Sequence, residues 1–444
     1  MSEDCLNLNV WTGATSQNEK RPVYVWIYGG RFAAGSGSDP LFAGGEVSYD
    51  GEGLAQKGLV VVTFNYRNGA FGFLSTPELS EESGHNASGN YGLLDQIAAL
   101  QWVKKNIAAF GGDPNNVTIG GQSAGSASVL DQVYSPLSKG LFERAIAESG
   151  ARYPHDPDIS TLATSYRTLE DAESEGEKYA QEHNASSLEE LRALSVDDLL
   201  EGSDVDDENV SGPPQPLGNP APPLFRPVLD GWVMPTTYAQ TLATGSQNDV
   251  PIMTGNNLDE NGAFPQQDVK LADFQSAAKE RYGEMVDEFL RLYPASSDEE
   301  ANQATNDSIR DSSRVSTFLW SNEWAKKAKS PVFTYFWTHA PPGPNHDREG
   351  AFHGSEINYI FDNLYATDLP WTDEDRRIAD MMSDYLVNFA TSGDPNGDDL
   401  PQWAASDTGS PTTMEVGDDF GPIPVADESK TDFIHRFFDT QKAW

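Results

Sequence analysis

Hydrophobic positions along the first 110 residues fall into short runs that turn residues separate. Residues 6–11 alternate apolar and polar side chains, whereas residues 23–28 and 59–64 are almost continuously apolar, as central strands covered on both faces are. Apolar residues then recur at helical spacing over residues 93–110, and the sequence Gly-Gly-Asp-Pro at 111–114 ends that helix. Strands that alternate with helices predict an α/β fold, with a mostly parallel central sheet flanked by helices.

The rest of the chain carries the same kinds of segment. Residues 250–254 and 332–337 predict further strands, and residues 372–392 predict a last amphipathic helix. We find no internal repeat and no linker, so we expect a single domain over residues 1–444.

One region, residues 155–223, differs from its surroundings. Two acidic helical patches, near 168–183 and 187–201, precede a stretch from 202 to 223 that is rich in Pro, Gly, Asp and Ser. The region has too few apolar residues for a core of its own. We therefore expect it to be an insertion that lies over the active-site edge of the sheet.

The motif Gly-Gln-Ser-Ala-Gly at residues 121–125 predicts the chemistry. It lies between a β-branched run at 116–120 and small residues that begin an apolar helical pattern at 126–130. A G-x-S-x-G motif between a strand and a helix is a nucleophile elbow, whose turn strains the serine backbone and lifts the hydroxyl clear of the sheet. Its glycines allow strand and helix to pack closely. The motif predicts Ser123 as a nucleophile at a helix N-terminus, which favours developing negative charge.

Composition restricts the partners of the protein. A formal charge of −40 argues against binding to nucleic acid or to an anionic membrane, and it indicates a solvated acidic shell. No apolar run is long enough to span a membrane, and the first residues do not form a signal peptide. The only cysteine, Cys5, has no partner for an internal disulfide. No sequence pattern predicts a metal site or a cofactor.

A catalytic serine needs a histidine base, which a carboxylate in turn orients. The expected chain order is serine, acid, histidine, and six histidines follow Ser123: His155, His183, His339, His346, His353 and His435. His183 lies in a polar helical patch and is expected at the surface, and a Pro-rich loop suggests solvent exposure for His339 or His346. His353 lies in a glycine-flanked loop beyond the strand at 332–337, where a ring can swing over the serine. This pattern favours His353 without excluding the others.

The acid and the oxyanion donors are less sharply defined by pattern. Asp259 and Glu260 follow the predicted strand at 250–254, although an acidic turn explains them nearly as well in so acidic a chain. Backbone amides for an oxyanion hole are available at Ala124, directly after the serine, and in the Gly-rich loop at 29–32.

Seven segments of the chain match one family jointly. They are residues 2–10 (Ser-Glu-Asp-Cys-Leu-Asn-Leu-Asn-Val), 26–30 (Trp-Ile-Tyr-Gly-Gly), 65–67 with 72–74 (Asn-Tyr-Arg, Gly-Phe-Leu), 89–96 (Gly-Asn-Tyr-Gly-Leu-Leu-Asp-Gln), 110–114 (Phe-Gly-Gly-Asp-Pro), the elbow, and 353–356 (His-Gly-Ser-Glu). With these motifs the chain resembles the type-B carboxylesterases, the cholinesterase/lipase group of the α/β-hydrolase fold. The resemblance implies that fold, insertions over the active site, and ester hydrolysis without a cofactor.

Carried over by position, the resemblance implies a catalytic role for six residues. They are Ser123 as nucleophile, Glu260 (rather than Asp259) as acid, His353 as base, and Gly30, Arg31 and Ala124 as donors of oxyanion-hole amides. The implied chemistry is acyl transfer in two steps, in which the serine takes the acyl group from an ester and water then releases the acid.

The chain departs from the family pattern at three places. Arg31 replaces a small residue, and its guanidinium can fill or charge the acyl pocket. Gln122 replaces a glutamate, which removes a buried charge and shifts the expected substrates toward small to medium, neutral esters. Family members also carry several tens of residues before the segment at which this chain begins, including a cysteine partner for Cys5. We therefore expect a truncated form of a protein that is secreted at full length.

Two other interpretations compete with the esterase hypothesis. Some members of the family have lost catalysis and act as binding proteins in cell adhesion, and truncation can leave an intact triad in an unstable, inactive chain. Because Ser123, Glu260 and His353 are all present, the sequence favours a serine-dependent carboxylic-ester hydrolase.

Overall fold

A nine-stranded sheet forms the centre of the molecule. The computed structural model describes residues 3–38, 47–210, 212–214, 216, 221–263 and 269–444. In chain order the strands of both sheets in the described part are β1 (Leu8–Thr12), β2 (Arg21–Ile27), β3 (Val60–Phe64), β4 (Gly112–Gln122), β5 (Arg144–Glu148), β6 (Arg167–Thr168), β7 (Val228–Leu229), β8 (Ile252–Asn257), β9 (Val332–Trp337), β10 (Thr412–Val416) and β11 (Gly421–Pro424). Strands β6 and β7 pair with each other in a separate small sheet.

The central sheet is mostly parallel, as predicted. Its strand order is β1-β3-β2-β4-β5-β8-β9-β10-β11, and only the outermost strands β1 and β11 run antiparallel to their neighbours. All side chains of β3, β8 and β9 are buried. This burial explains why the corresponding sequence runs lack the alternation of a half-exposed strand.

Helices alternate with the strands along the chain, and several of them contact the sheet. They are α1 (Glu52–Gln56), α2 (Gly69–Phe73), α3 (Pro77–Glu82), α4 (Tyr91–Asn106), α5 (Ala124–Tyr134), α6 (Leu169–Glu182), α7 (Leu188–Arg192), α8 (Val196–Leu200), α9 (Tyr238–Thr244), α10 (Leu271–Tyr282), α11 (Val286–Leu292), α12 (Asp298–Ala325), α13 (His346–Glu349), α14 (Ile357–Ile360), α15 (Asp373–Ser392) and α16 (Glu428–Phe438). No helix among the described residues is both long and apolar enough to cross a membrane.

Helix α4 begins and ends close to the predicted bounds. A short 3₁₀ turn continues it to Phe110, and Gly111 then adopts a left-handed conformation with a φ of +81°. A glycine takes that conformation without strain, so the chain leaves the helix there and enters β4.

The acidic region folds differently from its prediction in one respect. The first patch forms α6, but the second forms two short helices, α7 and α8, because Ser195 starts a new helix by a capping box with Asp198. Apolar side chains of the region, among them Tyr166, Tyr179 and Leu191, join the main core around the sheet. Of the Pro-rich stretch at 202–223, residues 211, 215 and 217–220 lie outside the described part.

Two histidines make hydrogen bonds that the sequence pattern does not predict. The ring nitrogens of His183 lie 2.7 Å from the carbonyl oxygen of Tyr179 and 2.9 Å from that of Asp198, so the ring joins α6 to α8. His339 is held between two carboxylates: Nδ1 lies 2.7 Å from Asp418 and Nε2 lies 2.9 Å from Asp375. Local sequence pattern misses these pairings because Asp198 lies two helices further along, in α8, and because Asp375 and Asp418 lie 36 and 79 residues away from His339.

The pairing of His339 predicts a pH-dependent contribution to stability. Burial lowers the pKa of His339, but the hydrogen bonds and charges of Asp375 and Asp418 outweigh it and raise the pKa above its ordinary value. A raised pKa in the folded state stabilises the fold below the unfolded-state pKa of about 6.5, and this stabilisation is lost as pH rises through the folded-state pKa.

We expect His339→Gln to lower the free energy of unfolding by about 1–2 kcal/mol at pH 5.5, and by clearly less at pH 9. Urea unfolding at the two pH values measures the difference. His435→Gln is the matched control, since His435 is half-exposed and lies 3.7 Å from its only carboxylate partner in the described chain. An equal loss at both pH values for His339→Gln would contradict the assignment.

Candidate active site

Ser123 occupies a strained turn between β4 and α5. Its backbone has φ +60° and ψ −123°, a conformation that non-glycine residues rarely adopt, and its amide donates to the Glu148 carbonyl at 3.0 Å. A Cβ atom at Gly121 would lie 2.6 Å from the backbone of Gly125 and of Ile27, and one at Gly125 would collide with the Ile27 carbonyl oxygen. The close packing expected around the two glycines of the elbow is therefore confirmed.

The glycine-rich loop after β2 lies directly against the elbow. A Cβ atom at Gly29 would meet the Gln122 carbonyl oxygen at 2.5 Å and the Ser123 Cβ at 3.1 Å. The next residues turn in the left-handed region, with φ +118° at Gly30 and +58° at Arg31. Within the described residues, the amides of Gly30 and Arg31 have no hydrogen-bond acceptor. They are thus available to a ligand next to the serine.

The guanidinium of Arg31 binds to the acidic region. Its Nη2 lies 2.5 Å from Asp206 and donates to the Ala221 carbonyl oxygen at 2.8 Å. About half of the Arg31 side chain is exposed to solvent. The ion pair balances the cationic charge that the sequence places in this loop, and it ties the loop to the region at 155–223.

The structure brings Glu260, and not Asp259, to His353. The Glu260 Oε2 lies 2.5 Å from Nδ1 of His353, and its Oε1 accepts the Asn257 amide at 2.9 Å. Asp259 instead lies 2.5 Å from Arg310 and accepts the backbone amide of Ala351, which fixes the turn after β8. These contacts distinguish two carboxylates that the residue pattern alone does not separate.

The other ring nitrogen of His353 faces the elbow. Gln122, the residue before the serine, places its Nε2 3.2 Å from Nε2 of His353. The loop that carries the histidine is fixed by two hydrogen bonds: the Asn257 side chain donates to the Phe352 carbonyl at 2.7 Å, and Trp337 donates to Ser355 at 2.9 Å. The Gln122 contact and these two hydrogen bonds together fix the His353 ring beside the elbow.

The electrostatics of Glu260 and His353 favour an ionised carboxylate beside a basic imidazole. Burial raises the pKa of Glu260, but the charge of His353, its hydrogen bond and the Asn257 amide outweigh burial and lower the pKa. Burial lowers the pKa of His353, but the charge and hydrogen bond of Glu260, together with the charge of Glu356, raise it above its ordinary value. Such a histidine is a stronger base than a free one.

Sequence reasoning missed two buried carboxyl groups near this pair. Glu356 and Glu148 are both completely buried. Burial raises the pKa of Glu356 to about 7 against a hydrogen bond from Asn257 at 2.5 Å, and it raises the pKa of Glu148 well above its usual range. Glu356 is the last residue of the His-Gly-Ser-Glu motif, so the motif itself carried the signal.

The remaining histidines after the elbow contact groups elsewhere in the fold. His155 lies 2.9 Å from the Gln441 carbonyl oxygen and His346 lies 3.1 Å from that of Pro341, while His183, His339 and His435 have the partners given above. Among the described residues, no group of three or more His, Cys, Asp or Glu side chains could hold a metal ion.

The sheet, its helices and the elbow define an α/β-hydrolase. The model of the carboxylesterase family matches residues 1–432. The chain is 35% identical to a fumonisin B1 esterase of Sphingopyxis macrogoltabida, over 90% of this chain and 71% of the relative. It is 32% identical to the para-nitrobenzyl esterase of Bacillus subtilis strain 168, over 89% and 75%.

Solved structures agree with these relatives. A PNB esterase superposes with a TM-score of 0.76 at 31% identity, covering 98% of this chain and 85% of that one. A carboxylesterase of Geobacillus stearothermophilus superposes with a TM-score of 0.75 at 30% identity, covering 97% and 86%. The chain belongs to the carboxylesterase family, and it is an ester-hydrolysing enzyme.

Proposed function

We propose that this protein hydrolyses small to medium, neutral carboxylic esters through an acyl-enzyme on Ser123, with His353 as base and Glu260 as the acid that orients it. The observation that carries the proposal is the placement of His353: one ring nitrogen contacts Glu260, and the other faces the elbow that carries Ser123. A serine on a strained turn, a base and an orienting carboxylate are the parts that nucleophilic acyl transfer requires.

In the first half-reaction, the Ser123 hydroxyl attacks the ester carbonyl while Nε2 of His353 accepts its proton. Glu260 keeps the other proton of the ring on Nδ1 and stabilises the imidazolium that forms. His353 then gives the proton on Nε2 to the leaving alkoxide, so that an alcohol departs and the acyl group remains on the serine. In the second half-reaction, His353 accepts a proton from a water that attacks the acyl carbonyl. His353 then returns that proton to the Ser123 oxygen as the bond between the acyl group and the serine breaks, which releases the acid and restores the serine.

The negative oxygen of each tetrahedral intermediate needs hydrogen-bond donors. The amides of Gly30 and Arg31 lie in the loop that packs on Ser123, and the amide of Ala124 lies in the first turn of α5. Each such donor contributes about 2.7–4 kcal/mol in comparable sites. Because these donors are backbone groups, the side chain of Arg31 is not needed for them.

The residue before the serine, Gln122, supports the proposal of neutral substrates. Gln122 is completely buried and carries no charge, so it offers no anion to a quaternary ammonium group at the elbow. The para-nitrobenzyl esterase and the fumonisin B1 esterase among the relatives carry names of different esters. Their names therefore support ester hydrolysis as the shared activity and do not fix the acyl or the alcohol group.

A matched pair of esters tests the substrate class. We expect kcat/KM for 3,3-dimethylbutyl acetate to equal or exceed that for acetylcholine, which has the same shape and a positive charge. The measurement follows acid release at pH 8 and 0.5 M salt, where the acidic surface is screened. A preference of tenfold or more for the choline ester would contradict the neutral-ester proposal, and Ser123-independent release would contradict the mechanism.

A further inference from the structure

Gln122 contacts His353, yet the catalytic steps proposed for this site give it no role. Its side chain is completely buried at the end of β4. Its Nε2 lies 3.2 Å from Nε2 of His353, and within the described residues its Oε1 is buried without a hydrogen-bond partner. The amide also packs on Gly354, where an added Cβ would lie 3.6 Å from it. The side chain is therefore committed to the histidine and its loop.

The proton positions determine what this contact does. Since Nδ1 of His353 donates to the Glu260 carboxylate, Nε2 of the neutral ring is an acceptor. The amide N–H of Gln122 then donates to the lone pair that has to take the proton of Ser123. A donor on that lone pair stabilises the neutral ring and opposes its protonation.

The other charged groups around His353 act mostly in the opposite direction. Glu260, from the loop after β8, and Glu356, from the histidine's own loop, raise the pKa of the ring, whereas Arg152, after β5, lowers it. Glu148 on β5 lies in register with Gln122 and interacts with Glu356. An imidazole made too basic by these carboxyl groups is protonated at working pH and cannot act as a base.

We propose that Gln122 is a positioning residue for His353: by donating to Nε2 it keeps the ring neutral and aligned in the resting enzyme, and so sets the lower pH limit of ester hydrolysis. The inference rests on the proposed function, since it assigns His353 as the base. It explains why a neutral amide at this position suits a site that two buried carboxyl groups already surround.

The test is the pH dependence of kcat/KM for p-nitrophenyl butyrate in two variants. Gln122→Met removes the donor at similar volume, and we expect the acid limb to move to higher pH by about 0.5–1 unit. Gln122→Glu places a carboxyl group against Nε2, and we expect a shift of about 1–2 units in the same direction. Both variants should therefore lose more activity at pH 6 than at pH 9.

Gln96→Met is the matched control. Gln96 is as fully buried as Gln122, but it donates to Ser128 at 2.9 Å and accepts from Gln132 at 3.0 Å. We expect its acid limb to coincide with that of the wild type. A shift in the control equal to that of Gln122→Met would assign the effect to packing, and it would overturn the proposal.

A second measurement does not depend on turnover. Titration of the ¹⁵N-labelled imidazoles by NMR, with His353 assigned through His353→Gln, should give a higher pKa for His353 in both Gln122 variants than in the wild type. Unchanged titration and an unchanged acid limb would overturn the role of Gln122. Absence of Ser123-dependent turnover in the wild type would instead overturn the proposed function, and the titration would still decide the contact.

Discussion

Ser123→Ala is expected to lower kcat for p-nitrophenyl butyrate by about 10⁴-fold or more, because the variant lacks the hydroxyl on which we propose that the acyl-enzyme forms. The hydroxyl is the atom at which the proposed mechanism forms and breaks its covalent bond. Residual activity of the variant reflects the oxyanion donors and substrate binding alone. The melting temperature should change little, since the side chain is partly exposed and only its Oγ is removed.

Ser126→Ala is the matched control for this experiment. Ser126 lies three residues further along α5, and its hydroxyl is buried and has no hydrogen-bond partner among the described residues. We expect kcat of this variant to stay within about threefold of the wild type. Retention of more than a tenth of the wild-type kcat by Ser123→Ala would remove the serine from the mechanism.

The second large effect is expected at Glu260. Glu260→Gln keeps the shape of the side chain but replaces the acceptor of the His353 proton by an amide, which favours the wrong ring tautomer. We expect kcat to fall by about 10³–10⁴-fold, the loss typical of such a change in a triad. Stopped assays at several enzyme concentrations measure losses of this size.

Asp259→Asn, at the neighbouring residue, should have the opposite profile. Asp259 pairs with Arg310 and accepts the Ala351 amide, so we expect the free energy of unfolding to fall by about 1–3 kcal/mol. Its kcat per folded molecule should remain within about tenfold of the wild type. If Asp259→Asn lost as much kcat as Glu260→Gln, the acid would be misassigned.

The parts of the fold that sequence could predict are those in which local pattern and burial agree. The strands at 23–28, 59–64 and 332–337 are almost entirely apolar because they are buried on both faces. The sequence pattern did not predict helix α12, although it is 28 residues long, because its first half buries small or polar side chains such as Ala301, Asn302 and Thr305 and so lacks an apolar stripe. Its large buried side chains, among them Phe318, Trp320 and Trp324, all lie in its second half, where buried Ser and Thr residues are interspersed with them.

The candidate site was predictable where a motif fixes backbone geometry. The elbow glycines and the loop at 29–32 need close approach of two backbones, which leaves a signature in the sequence. Pattern alone did not separate Glu260 from Asp259, since only the tertiary pairings with His353 and Arg310 distinguish them. The contact of Gln122 with His353 spans 231 residues, and no local rule reaches that far.

Covalent labelling shows directly whether Ser123 is the nucleophile. The protein is incubated with diethyl p-nitrophenyl phosphate, which phosphorylates activated serines, and the intact mass and the tryptic peptides are then measured. We expect one diethylphosphoryl group per chain, located on Ser123, none on Ser123→Ala, and a much slower reaction for His353→Gln. Labelling at another residue, or equal labelling of the wild type and Ser123→Ala, would contradict this role of Ser123.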